Sequence, residues 1–220
     1  MCNNYRNDAQ LLAWAEDFDR FLRRQLRMPA DPSNLTYRSD VYPKYEGLFV
    51  RPVDASDPNG ELEPAVGRWG LIPFFHKGSA KDWKAATNNC RSEDMATKPS
   101  FRDAFKRKRC IIPATSFCEF TGPKGSMTKH QISSATGGPL FLAGLWASTN
   151  CAEGPVESYT MVMQGVGPGD DMERFHNRQP VFLTAENVGA WLDPSADVSE
   201  VIRSPLVGSL AFDPPEPVAA

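Results

Sequence analysis

Glycine and proline divide this chain into short apolar segments, and this punctuation constrains its fold more than any other feature. The 220 residues include 16 glycines and 19 prolines, which separate runs such as 139–146, 158–163 and 181–183. Because both residues interrupt regular elements, the runs predict short strands with irregular connections. Few segments have helical spacing. The pattern therefore predicts an α+β domain with strongly bent, mostly antiparallel sheets.

Three segments do favour helix. Apolar residues recur at helical spacing from Asp8 to Met28, where Asp8 is a plausible N-cap and Pro29 ends the pattern. This predicts an amphipathic helix that packs on the core and anchors the N-terminal segment. Residues 184–192 predict a second, capped helix. Residues 101–109 predict a third with a basic end, most often a solvated face but also the best candidate for a phosphate-facing patch.

Length, charge and cysteine usage bound the function. The length predicts one domain over residues 1–213, followed by a proline-rich C-terminal tail at 214–220. A net charge of −3 gives no global attraction to nucleic acid, so such binding needs a local patch. The five cysteines form no CxxC pair, which argues against a zinc knuckle or a disulfide scaffold. We expect no metal and no cofactor.

The opening residues and the apolar runs predict the location. No charged region followed by an apolar stretch opens the chain, so no secretory signal is expected. The longest near-apolar run, 139–146, is too short to span a bilayer. We therefore expect a cytoplasmic monomer with no membrane partner.

Met1-Cys2 is the candidate reactive element. Removal of Met1 would give Cys2 a free α-amino group beside its thiol, with pKa values of about 8 and about 8.5. Such a 1,2-aminothiol captures aldehydes: the amine forms an imine, and the sulfur then closes a five-membered thiazolidine ring. A cysteine at position 2 can equally be incidental, so other residues must support the role.

Two further residues have the chemistry for such a site. Glu119 lies between apolar neighbours, where burial would raise its pKa and suit it to proton transfer, although a salt bridge is the competing explanation. His176 lies between a short helix and a strand, a junction that often points side chains into a cleft. His76 and His130 are interpreted as structural or surface residues. Trp69 is usually a core residue at such a position, and stacking on a flat ligand is the less common alternative.

Taken together, several segments resemble the SRAP (SOS response-associated peptidase) family, whose members act on abasic sites in DNA. They occur in the family's order and span residues 1 to about 192: Met1-Cys2, Arg68–Pro73, Asn89–Glu93, Arg109–Pro113 with Phe117–Phe120, and His176–Pro180. The resemblance implies a pseudo-barrel core with a few peripheral helices, and Cys2 at the bottom of a groove.

The resemblance also implies a function and a set of roles. Cys2 would form a thiazolidine crosslink with an abasic site in single-stranded DNA, which protects the lesion during the DNA damage response. Removal of Met1, by the protein itself or by a general aminopeptidase, would be the peptidase element, and the crosslinking would be lyase-like. Three residues would assist the reaction: Asn89 would hold the Cys2 end, Glu119 would transfer protons, and His176 would help to open the sugar ring. The remaining residues would contact the DNA. Arg91 and Arg178 would bind phosphates, and Trp69, Gly70 and Pro43 would line the path of the strand.

The chain departs from the family pattern around these residues. Asn3-Asn4 stands where many members have glycine and arginine, so an expected phosphate contact is missing. Cys90 replaces alanine, and Gln179 replaces methionine. Two alternative functions stay open. One is an N-terminal-nucleophile cysteine hydrolase or peptidase, and the other is a non-covalent binder of single-stranded DNA in which Cys2 is incidental.

Overall fold

The computed structural model describes residues 2–123, 126–203 and 208–217, which contain short strands and four short helices. The strands are β1 Tyr5–Arg6, β2 Asp40–Val41, β3 Glu46–Pro52, β4 Leu62–Trp69, β5 Asn89–Arg91, β6 Arg109–Ala114, β7 Ser116–Thr121, β8 Thr128–Ser134, β9 Leu140–Cys151, β10 Gly154–Gly165, β11 Arg178–Pro180, β12 Leu210–Phe212 and β13 Glu216–Pro217. The helices are α1 Leu11–Leu22, α2 Arg102–Arg107, α3 Val188–Leu192 and α4 Ser199–Arg203. Single 3₁₀ turns occur at Pro32–Asn34, Ala80–Asp82 and Ser92–Asp94.

One sheet closes on itself. Strands β10, β4, β3, β6 and β9 pair in that order, and β9 pairs back with β10. Strands β5 and β11 extend this sheet along β10. Only the pairings of β10 with β4 and with β5 are parallel among the named strands of the described residues. The predicted α+β class, with mostly antiparallel sheets around a pseudo-barrel, is confirmed.

A second sheet carries the N-terminal segment. Its order is β12-β8-β7-β1-β2, and β13 pairs with β8 beside β12. Tyr5 in β1 is in register with Phe117 on one side and with Val41 on the other. The N-terminal residues therefore belong to the interior of this sheet. Glu216–Pro217, within the tail predicted at 214–220, pair with β8 at the edge of this sheet. Residues 218–220 lie outside the described residues, and the boundary at residue 213 stays a prediction.

Two apolar clusters fill the space around these sheets. One packs α1, through Leu11, Trp14, Phe18 and Leu22, against the barrel strands. The other lies on the side of the barrel that faces the second sheet and includes Cys2. None of the helices within the described ranges is long and apolar enough to cross a membrane.

The helices are shorter than the sequence pattern predicts. The first begins after Gln10, not Asp8, and ends at Arg23, whose φ of 54° is left-handed and whose N–H bonds back to Asp19. The chain then turns away so that Leu26 can bridge to Leu62 of β4. The second predicted helix, at 184–192, begins only at Val188.

The proposed basic patch at 101–109 is wrong for Arg109. This residue begins β6, is buried, and donates hydrogen bonds to the carbonyl oxygens of Phe105, Asp193 and Pro194. Since a buried guanidinium needs acceptors, these carbonyls explain why it can lie inside the protein. Arg109 therefore supports the packing of α3 and cannot face a phosphate.

Candidate active site around Cys2

Cys2 lies fully buried at the start of the segment that enters the second sheet. Its Sγ donates to the Asn4 carbonyl oxygen at 3.3 Å, and the same oxygen accepts the Cys118 N–H at 2.9 Å. The Asn4 amide donates to the Val41 carbonyl at 3.3 Å. Asn4 stands where the family often has arginine, and it points inward as an anchor. The backbone that carries Cys2 is therefore fixed by β7 on one side and β2 on the other.

Asn89 holds the other side of Cys2. It begins β5, where it is in register with Met161 of β10. Its Nδ2 donates to the Cys2 carbonyl oxygen at 2.6 Å. Its Oδ1 is buried and has no hydrogen-bond partner among the described residues, so it can accept from a group that enters the site. The structure thus brings Asn89 to Cys2, as the resemblance implied.

Glu119 lies in β7 and is only 2% exposed. Burial raises the pKa of its carboxyl group. Burial also raises the pKa of the Cys2 thiol well above its ordinary value, and the negative charge of Glu119 raises it further. The two groups are therefore within electrostatic reach, and near neutral pH the thiol is protonated beside a carboxyl group whose proton affinity is increased.

His176 is held in one tautomer. The Arg178 backbone N–H donates to its Nδ1 at 2.9 Å, so the neutral ring carries its proton on Nε2. Burial, and then the charge of Arg178, lower the pKa of His176, which keeps it neutral near pH 7. The preceding residue, Phe175, packs on His130 with ring centroids 4.8 Å apart. His130 is the register partner of Glu119, so His176 lies near the strand pair that carries the carboxylate.

The two arginines flank the end of β10. Arg91 in β5 is in register with Met163, and Arg178 in β11 with Gly165. Arg91 is exposed, whereas both Nη atoms of Arg178 donate to Glu93, one at 2.8 Å. Arg178 lowers the pKa of Glu93 to about 2. Sequence reasoning missed this acidic partner, although its position two residues after Arg91 placed it beside the same strand end.

The three residues assigned to the path of the strand differ in exposure. Trp69 has no exposed surface; its indole N–H donates to the Asn88 carbonyl at 2.7 Å, and its ring packs edge-on to Tyr5 at 5.1 Å. The usual interpretation of Trp69 as a core residue is therefore confirmed, and the alternative of a ring that stacks on a ligand does not fit, because the indole N–H is satisfied inside the core. Gly70 is also buried, with φ at 139°. Pro43 is partly exposed in a turn above this backbone, where the next residue donates to the Trp69 carbonyl at 2.6 Å.

The sequence leaves His130 as a structural or surface residue, and the structure places it in a strand. It lies in β8, opposite Glu119, and its Nε2 is 2.7 Å from the Thr121 hydroxyl. All five cysteines are free thiols. No group of three His, Cys, Asp or Glu side chains in the described part of the chain could hold a metal ion.

Three comparisons relate this chain to known proteins. A family model described as SOS response associated peptidase (SRAP) matches residues 1–212. "Abasic site processing protein YobE" of Bacillus subtilis (strain 168) is 38% identical over 142 residues, 64% of this chain and 63% of the relative. "Abasic site processing protein YoqW" of Bacillus phage SPbeta is 38% identical over 140 residues, 62% and 60% respectively. Each match spans less than two thirds of the relative's length. A solved structure from Bordetella bronchiseptica has a TM-score of 0.76 at 26% identity, with 100% of both chains covered.

Proposed function

Since this chain belongs to the SOS response associated peptidase (SRAP) family, we propose that it processes abasic sites in DNA by forming a covalent crosslink through Cys2. The main support for this proposal is the hydrogen bond from the Asn89 amide to the Cys2 carbonyl, together with the charge of Glu119, which acts on the Cys2 thiol. The names of the relatives support abasic-site processing as the general activity. The free thiols of all five cysteines suit a reducing compartment.

The proposed reaction begins with opening of the abasic sugar to its aldehyde. The Nε2–H of His176 is the donor that this site offers to the ring oxygen or to the hydroxyl group that forms from it. A neutral imidazole can donate this hydrogen bond without bringing a second positive charge next to Arg178. The hydrogen bond at Nδ1 keeps the ring oriented for this role.

The α-amino group of Cys2, exposed after removal of Met1, then adds to the aldehyde carbon. Loss of water gives the imine, and attack of the sulfur on the imine carbon closes the thiazolidine. The thiol proton is transferred to the imine nitrogen during closure. Because burial raises the pKa of Glu119, its carboxylate is a stronger base than an exposed glutamate and can accept and return this proton. Met1 itself lies outside the described residues.

Arg91 and Arg178 would position the strand through its phosphates. A protein with a net charge of −3 needs such a local patch. Arg91 is exposed and available for this contact, whereas Arg178 would have to exchange Glu93 for a phosphate. Since Trp69 is buried, we assign it a supporting role under the site instead of a DNA contact.

The test is a denaturing gel with protein whose N-terminal mass has been shown to begin at Cys2. It is incubated with single-stranded DNA that carries one abasic site, or with the intact strand. We expect a denaturant-stable band only with the abasic strand. Cys2→Ser should abolish the band, and Cys151→Ser, which changes another free thiol, should keep it. Absence of the band with the unmodified protein would reject the covalent function.

A further inference from the structure

A cleft of about 500 Å³ opens beside the candidate active site and plays no part in the chemistry above. Its wall includes His130 from β8, Phe175 from the segment before β11, and Phe212 from β12. Arg174 and Asp213 stand at the same cleft. This volume is in the range typical of sites for small ligands, about 300–1,000 Å³.

The aromatic residues form a contiguous cluster in which two rings are stacked and the third is tilted. Phe175 and Phe212 are nearly parallel, with centroids 4.6 Å apart and an interplanar angle of 16°. His130 packs on Phe175 at 4.8 Å. The guanidinium group of Arg174 lies 4.7 Å from the Phe175 centroid and 5.0 Å from that of Phe212. All three rings are only partly buried, so a flat ligand can reach them.

The cleft continues the sheet face that carries Glu119. Side chains alternate along a strand, and residues in register share a face, so Glu119 and His130 point to the same side. The hydrogen bond between the Thr121 hydroxyl and His130 places that hydroxyl there as well. Phe175 directly precedes His176 in the sequence. A strand whose sugar reacts between Glu119 and His176 therefore has this cleft within reach of an adjoining nucleotide.

We propose that the cleft binds a nucleobase of the nucleotide next to the abasic site, by stacking on Phe175 and Phe212. This rests on the proposed function and extends it to the bases around the lesion. Aromatic rings and arginine planes are the groups on which bases of single strands stack. A base suits the cleft better than a phosphate does, because the aromatic rings offer stacking surface and the positive charge of Arg174 is accompanied by the Asp213 carboxylate at the same cleft.

The experiment measures non-covalent binding. It uses a strand with a reduced abasic site, which has no aldehyde and cannot crosslink, and companion strands that also lack the base on the 5′ or the 3′ side. Stacking of a base contributes a factor of roughly 5 to 150 in affinity. We expect Phe212→Ala and the bulkier Phe212→Leu to weaken binding by that factor only when the base is present. Leu12→Ala, which changes an exposed apolar residue of α1, is the control.

Two results would overturn the proposal. One is unchanged affinity in both Phe212 variants. The other is a loss of affinity that is equally large on the strand with both neighbouring bases and on each of the two companion strands. The crosslinking assay on unmodified protein distinguishes this failure from failure of the proposed function. A base-dependent loss without any crosslink would support the cleft and reject the covalent chemistry. A crosslink without any base-dependent loss would do the reverse.

Discussion

Replacing Asn89 with alanine removes the amide that donates to the Cys2 carbonyl at 2.6 Å. The carbonyl belongs to a fully buried residue, so the loss leaves a poorly solvated acceptor. A net hydrogen bond contributes about 1 kcal/mol, and an unsatisfied buried group costs about 1–3 kcal/mol. In the reaction this corresponds to a rate lower by about 5- to 150-fold, because tenfold equals 1.36 kcal/mol. Misplacement of the reacting amine by about 1 Å would have a similar effect.

The assay is the single-turnover rate of crosslinking to abasic single-stranded DNA, measured from denaturing gels. Asn88→Ala is the matched control: it removes the neighbouring amide, which among the described residues donates one hydrogen bond, to the Asn3 side chain at 3.4 Å in an exposed position. The melting temperature of both variants is measured as well, and we expect it to decrease by about 2–4 °C for each kcal/mol of folding stability that is lost. If Asn89→Ala crosslinked as fast as Asn88→Ala, Asn89 would not be needed to position Cys2.

Three further variants test other parts of the site. Glu119→Gln should slow both crosslinking and Met1 removal. Burial raises the pKa of the Glu119 carboxyl group, so the native protein should lose stability as the pH rises through that pKa. Thermal denaturation measured across pH should show no such loss in the Gln variant. His176→Ala should slow sugar opening more than strand binding, and equal losses in both assays would indicate a structural histidine. Glu93→Gln should release Arg178 for a phosphate and steepen the salt dependence of single-strand affinity by about 0.7 in log–log slope, whereas an unchanged slope would show that Arg178 does not contact the strand.

Local sequence patterns predicted the fold class and the burial of Glu119 well. Glycine and proline spacing led to short, bent, mostly antiparallel strands, because these residues act on the backbone where they stand. The apolar flanks of Glu119 correctly predicted its burial, since they occupy a buried strand. The family resemblance placed Asn89 against Cys2, although 87 residues separate them in the chain.

The errors came from long-range packing. The sequence places Arg109 in a basic surface segment, but the fold brings the carbonyl oxygens of the residues after α3 to its guanidinium group, which is buried there. The sequence is compatible with Trp69 as a core residue or as a ring that stacks on a ligand. The position of the Asn88 carbonyl, which accepts the indole N–H inside the protein, decides between the two. The strand containing His130, and so its place opposite Glu119, depends on pairing with β7. Such distant contacts leave no local periodicity to detect.

The position of β1 between β2 and β7 has a consequence for biosynthesis. Tyr5 leaves the ribosome early, but its partner Phe117 follows more than 100 residues later. At translation rates of about 5–20 residues per second, the thiol of Cys2 waits roughly 5–20 s before β7 can enclose it. During that interval a processing enzyme can reach the nascent N-terminus, and so can free aldehydes and oxidants. Completion of the second sheet closes this interval and leaves the side chain of Cys2 buried.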